Sequence, residues 1–132
     1  MKNVWREGIK IECSEGGNIS DINIQDITMN DVSRPIFILL NNRFEPDDLG
    51  SSLELDHIPE IGTMSDIIIS DIIASDSDEM RNTHYRFDDD VMGSPKFAGI
   101  RIDAEKNHPI RNLTLRNISY KFIGGGKLSD IP

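Results

Sequence analysis

The chain has 132 residues, enough for one domain with one core, and a net charge of −9 from 23 acidic and 14 basic residues. This charge argues against a nucleic-acid partner, because neutralising phosphates needs clustered Lys and Arg. The longest apolar run, Ile36 to Leu40, is far shorter than the roughly 18 residues of a membrane span, so we expect no membrane partner.

The predicted elements alternate between two kinds of strand, interrupted by two loops. In chain order they are a strand at 8–12, a strand pair at 20–27, a strand at 35–40, an insertion at about 41–63, a strand pair at 65–72, an insertion at about 75–96, a strand at 98–103 and a strand pair at 111–118. Both insertions are polar and carry turn residues, as surface loops do. We interpret residues 1–132 as a single, partial domain.

The three strand pairs align without gaps, at spacings of 45 and 46 residues. Each has Ile or Leu at alternate positions, which predicts strands with one buried face. An Asp or Asn then breaks the alternation, at Asp26, Asp71 and Asn117, and these residue types tolerate the left-handed backbone of a one-residue corner. Repeated strand–corner–strand units predict an all-β fold, a right-handed, single-stranded parallel β-helix of about three coils.

Two other fold classes fit the sequence less well. The sequence has no stripe of apolar residues with a period of 3.6, which a helical bundle would show. It also has no Asn-Gly or Asp-Gly pair between apolar runs, and such pairs are typical of the hairpins of an antiparallel sandwich.

Three stretches resemble the late coils of the polygalacturonase family, glycoside hydrolase family 28. They are residues 6–12 (Arg-Glu-Gly-Ile-Lys-Ile-Glu), 16–19 (Gly-Gly-Asn-Ile) and 26–29 (Asp-Ile-Thr-Met). Residues 108–126 are similar to the closing coil of that family. The resemblance implies a parallel β-helix, a pectic oligosaccharide as ligand, and a secreted or periplasmic parent protein, although the N-terminus of this chain has no signal peptide.

The resemblance also implies an activity, the hydrolysis of galacturonan with inversion, which needs one carboxylic acid and one carboxylate. The family takes these groups from an Asn-Thr-Asp strand, an Asp-Asp pair and a Gly-His-Gly turn, and none of the three is present here. Asp88, Asp89 and Asp90 are the nearest imitation, but they follow the basic strand instead of preceding it. We therefore assign no catalytic residue and expect a fragment of a glycoside hydrolase that is inactive alone.

In the family, an Arg and a Lys on the basic strand hold a carboxylate of the substrate. Lys10 matches the Arg position, while Glu12 matches the Lys position and reverses its charge. Lys10, Glu12 and the neighbouring Arg6 are the candidate substrate-binding residues, with an ordinary outward-facing strand lysine as the alternative for Lys10. The reversed charge indicates either a substrate without an acidic group at that subsite or a loss of activity.

Other residues give no cofactor or metal site. His57, His84 and His108 lack zinc-ligand spacing, and the acidic run 76–79 lacks the order of a calcium loop. Cys13, the only cysteine, excludes an internal disulfide, and we expect it to be buried and unreactive.

Two alternatives to an enzyme fragment remain open. One is a carbohydrate-binding module that has kept the groove and lost the acids. The other is a structural module, because the first coil would expose unpaired strand edges and neither terminus resembles a cap. The second alternative predicts a homo-oligomer formed through the exposed coil ends.

Overall fold

The computed structural model describes residues 2–42, 60–76 and 99–121, and within them the side chains of residues 2–6 and 33 are not described. These residues form six strands, and the described segments contain no helix. The strands are β1 (Lys2–Cys13), β2 (Asn18–Ile19), β3 (Ile22–Leu40), β4 (Thr63–Ser75), β5 (Ile100–Ala104) and β6 (Arg111–Lys121). All of the strand pairings are parallel, which confirms the predicted all-β class and the predicted parallel arrangement.

The strands form two ladders that share β3. In the first ladder, the end of β3 lies between β1 and β5, so that Ile36 pairs with Ile9 on one side and with Ile100 on the other. In the second ladder, β4 lies between the start of β3 and β6, so that Ile69 pairs with Ile24 and with Leu115. The middle strand of each ladder is therefore covered on both edges.

The core consists of apolar side chains at alternate positions of both ladders, as the period-two pattern predicts. Ile36, Ile38, Ile67, Ile69 and Ile72, all on middle strands, are 0% exposed. Their in-register partners on β1, on the start of β3 and on β6 pack against this core but are less completely covered. Burial therefore decreases from the middle strand of each ladder toward its edges.

Asp and Asn residues bend the chain within the second ladder. The predicted corners Asp26, Asp71 and Asn117 have φ values of 59°, 55° and 53°, in the left-handed region that Asp and Asn tolerate better than most residues. A second column with the same backbone geometry, formed by Asp21, Asp66 and Asn112, precedes the first and was not assigned as a corner from the sequence.

The side chains of the two corner columns are hydrogen-bonded where Asn meets Asp. Asn112 donates from Nδ2 to Asp66 Oδ1, and Asn117 donates from Nδ2 to Asp71 Oδ1, each over 2.7 Å. An amide beside a carboxylate gives a charge-assisted bond, which is stronger than a bond between two neutral groups. These bonds join β6 to β4 outside the backbone ladder.

The strand boundaries differ from the predicted ones at several places. β1 begins at Lys2 instead of residue 8, because its first residues also pair with β3. Thr63 and Ser75, placed at the borders of the two insertions, are the first and last residues of β4. The remainder of the insertions lies largely outside the described residues.

Candidate functional site

The predicted basic strand is the second half of β1. Ile9 and Ile11 point into the core there, so Lys10 and Glu12 alternate with them on the outer face. Lys10 pairs in register with Phe37 on β3, and Phe37 pairs with Arg101 on β5. We call these three residues the outer row.

Phe37 lies at the centre of a group of cations. Its ring centroid is 5.8 Å from Lys10 Nζ, 5.4 Å from Arg34 Cζ and 5.8 Å from Arg101 Cζ. These distances are within the range in which a cation is attracted by the aromatic quadrupole. Although Phe37 is on the outward side of its strand, it is only 4% exposed. The cations therefore pack on the Phe37 ring, and the ring is not open for stacking on a sugar.

Each of these cations also has a carboxylate partner. Lys10 Nζ is 2.5 Å from Glu12 Oε2, and Arg101 Nη2 is 2.5 Å from Asp103 Oδ2. Both of these pairs are substantially exposed, so each contributes about 0–1 kcal/mol to stability. In the resting protein the outer row is therefore a set of balanced charges and not an uncompensated positive patch.

The third pair is more buried than the other two. Arg34 Nη1 donates to Glu7 Oε1 over 2.7 Å, and the two side chains are 15% and 13% exposed. Removing one partner of a buried pair leaves the other charge desolvated, and this is more damaging than breaking an exposed pair. We therefore regard Arg34–Glu7 as the fixed part of this face and the other two pairs as exchangeable.

The structure brings two of the three predicted binding residues together. Lys10 and Glu12 form an ion pair with each other, and Glu12 also accepts a hydrogen bond from Ser14 Oγ over 2.8 Å. Arg6 lies in β1, but its side chain is outside the described ones.

Sequence reasoning missed the residues that complete the outer row. A usable signal was present, because residues 8–12 and 99–103 share the order Gly-Ile-cation-Ile-carboxylate. Aligning these two strands would have placed Arg101 above Lys10 and Asp103 above Glu12. Nothing in the local pattern indicated Phe37 or Arg34.

A cleft of about 420 Å³ adjoins this face at the end of β1 and is lined by residues 12–19. Cys13 lies beside it, and its thiol contacts the carbonyl oxygens of Gly16 at 3.5 Å and Gly17 at 3.7 Å. Burial raises the pKa of the Cys13 thiol, which keeps it protonated at neutral pH and opposes a role as nucleophile. Glu12 links the cleft to the outer row, since it lines the one and is paired with Lys10 of the other.

Two of the predicted acidic features fall mainly in the second insertion. Asp88, Asp89 and Asp90, and all of the acidic run 76–79 except Asp76, lie outside the described residues. Within the described segments, no three His, Cys, Asp or Glu side chains are grouped so that they could hold a metal ion. The same segments contain no helix long and apolar enough to cross a membrane.

No protein-family model, no curated protein and no solved structure matches the chain. The resemblance to the polygalacturonase family therefore rests on the sequence motifs of residues 6–12, 16–19, 26–29 and 108–126 alone.

Proposed function

We propose that this chain is a right-handed parallel β-helix of about three coils that binds acidic oligosaccharides of the pectic type on its outer row. The observation that carries the proposal is the in-register alignment of Lys10, Phe37 and Arg101 on one face of three parallel strands. Neighbouring strands are about 4.8 Å apart, so the two cations are about two such steps apart along the stack. A chain of sugars with repeated carboxylates matches such a row of cations.

Binding would proceed by exchange of carboxylates. A uronate group of the ligand replaces Asp103 at Arg101, or Glu12 at Lys10, and takes over the charge-assisted hydrogen bonds. This departs from the expectation that the reversed charge of Glu12 keeps an acidic sugar from its subsite, because here Glu12 is the partner that the uronate displaces. Because the existing pairs are exposed and weak, the exchange costs little. Phe37 keeps the cations on the face while their carboxylate partners change.

We propose that the chain binds without hydrolysing its ligand. Inverting hydrolysis needs a protonated carboxyl in an apolar setting and a second carboxylate that activates water. The described carboxylates beside the outer row, Glu7, Glu12 and Asp103, all lie in ion pairs with Arg or Lys. None of them has the surroundings of a general acid.

Titration calorimetry with a galacturonate oligosaccharide of defined length tests the binding proposal. We expect Lys10→Ala to weaken binding by about five- to tenfold, on the order of 1 kcal/mol, because one exposed charge contact is lost. Glu12→Lys should tighten binding, since it removes a competing carboxylate and adds a cation. Arg116→Ala is the matched control, because Arg116 is an exposed cation on β6 of the other ladder.

Three results would contradict the proposal. Equal affinity of the wild type, Lys10→Ala and Glu12→Lys proteins would show that the outer row does not bind the oligosaccharide. Equal affinity for a neutral oligosaccharide of the same length would remove the role of charge. Steady release of reducing ends from polygalacturonate would refute the absence of hydrolysis.

A further inference from the structure

The edge of the first ladder at β5 exposes apolar side chains that are buried elsewhere in the same rows. Ile100 and Ile102 are 40% and 42% exposed, whereas Ile36 and Ile38 beside them on β3 are 0% exposed. At the opposite edge, on β1, the corresponding side chains are only 7% exposed. The two edges of the ladder are therefore unequal, and β5 is the open one.

The backbone of β5 also presents hydrogen-bonding groups on this edge. Glu105 donates its N–H to Leu40 O over 2.8 Å, so the groups of Glu105 point toward β3. Because successive residues of a strand point their N–H and C=O groups to alternate sides, those of Ile100, Ile102 and Ala104 point away from β3. Among the described strands, β5 pairs with β3 alone. An exposed edge of this kind is a template for pairing with another strand.

We propose that a second copy of this chain pairs with β5 in antiparallel orientation, about a two-fold axis at Ile102. In this register Ile102 lies opposite the partner's Ile102, and Ile100 lies opposite the partner's Ala104. These are the residues whose backbone groups point to the edge, so they form the hydrogen-bonded pairs of an antiparallel ladder. The exposed isoleucines are then covered from the side on which no described strand pairs with β5.

Charge on the outer face fits the same register. The axis at Ile102 places Arg101 directly opposite the partner's Asp103, and the two-fold symmetry repeats the contact. Opposite charges at directly facing positions of a strand pair are favourable, whereas like charges are unfavourable. An interface in which residue i meets residue j and j meets i is the self-complementary type that closes as a dimer.

The corner residues of β6, which follows β5 in the chain, are compatible with a second copy at the β5 edge. Each corner column carries Asp on the strands of the first two repeats and Asn on β6, at Asn112 and Asn117. The β6 end therefore presents neutral amides, so a second copy approaching it meets no carboxylate in these columns. A head-to-tail contact would instead need the β1 edge, where the side chains of Ile9 and Ile11 are already largely covered.

Light scattering and sedimentation equilibrium of the full chain, without ligand, test the proposal. We expect a mass of two chains at high protein concentration and a shift to one chain in Ile102→Lys. Ile73→Lys is the matched control, because Ile73 is an isoleucine of the middle strand β4 that is 61% exposed and lies outside the proposed interface. This control should remain dimeric.

A charge-exchange experiment separates the interface from the folding of the single chain. Arg101→Asp alone and Asp103→Arg alone each place like charges opposite one another across the two-fold axis, so each is expected to be monomeric. An equimolar mixture of the two variants restores opposite charges across the interface, but not within either chain, and should form a mixed dimer. A monomeric wild type, growth beyond two chains, or a mixture that stays monomeric would overturn the proposal.

Discussion

Replacing Ile69 by alanine tests whether the middle strand of the second ladder is the centre of the core. Ile69 is 0% exposed and pairs in register with Ile24 on one side and Leu115 on the other. Its side chain is therefore enclosed by rows on both neighbouring strands, and their ladders limit how far the site can collapse. Ile→Ala substitutions in cores lower the free energy of unfolding by about 2–5 kcal/mol, and we expect a value in the upper half of that range.

The matched control lies on the same strand. Ile73→Ala removes the same atoms from a side chain that is 61% exposed, and we expect a change within about 0.5 kcal/mol. Urea unfolding at one fixed protein concentration measures both variants, because any self-association makes apparent stability depend on concentration. If Ile69→Ala lowered the free energy of unfolding no more than Ile73→Ala, with unchanged m values, Ile69 would not lie at the centre of the core.

Two further predictions concern Gly62, which has no room for a side chain, and the carboxylate of the corner residue Asp66. A Cβ at Gly62 would lie 2.1 Å from Gly17 O and 2.7 Å from Cys13 Sγ, so Gly62→Ala must displace the backbone. We expect the free energy of unfolding in urea to fall by about 1–3 kcal/mol. An unchanged midpoint would contradict this. Hydrogen bonds from Asn112 and then Ser65 lower the pKa of Asp66 below 3.8, so their contribution to stability is complete above pH 3.8 and is lost as the pH falls through the lower folded pKa. In an NMR titration, Asn112→Gly, which keeps the left-handed backbone, should raise the Asp66 pKa, and an unmoved pKa would show that the bond does not act on the carboxylate.

The strand pattern was predictable because it is local. Alternating isoleucines and an Asp or Asn after each run are visible within eight residues, and Asp26, Asp71 and Asn117 do have the left-handed backbone predicted for them. Asp21 and Asp31 have it too, with φ values of 58° and 60°, but a polar residue beside a strand is also typical of an ordinary strand end. Sequence pattern alone does not separate the two cases.

The candidate site was predictable only in part, because it depends on register between distant strands. Lys10 and Glu12 share one strand, so their common face follows from the period of two. The cluster of Lys10, Arg34 and Arg101 around Phe37 requires knowing which residue of β3 lies beside which residue of β1 and β5. A shift of the strand register by one residue would have turned Phe37 inward. The residues that make up the site are therefore determined only by how β3 pairs with β1 and β5.

The separation between paired strands also has a consequence for how the chain folds. Contacts within the ladders join residues far apart in sequence, such as Arg34 with Glu7 across 27 positions and Asn112 with Asp66 across 46 positions. The entropy of closing these segments must be lost before the contacts stabilise anything. We therefore expect slow folding, on the millisecond-to-second timescale of chains dominated by non-local pairing. During that interval unpaired strands are exposed, and rapid dilution from denaturant at low protein concentration should give a higher refolding yield than concentrated refolding.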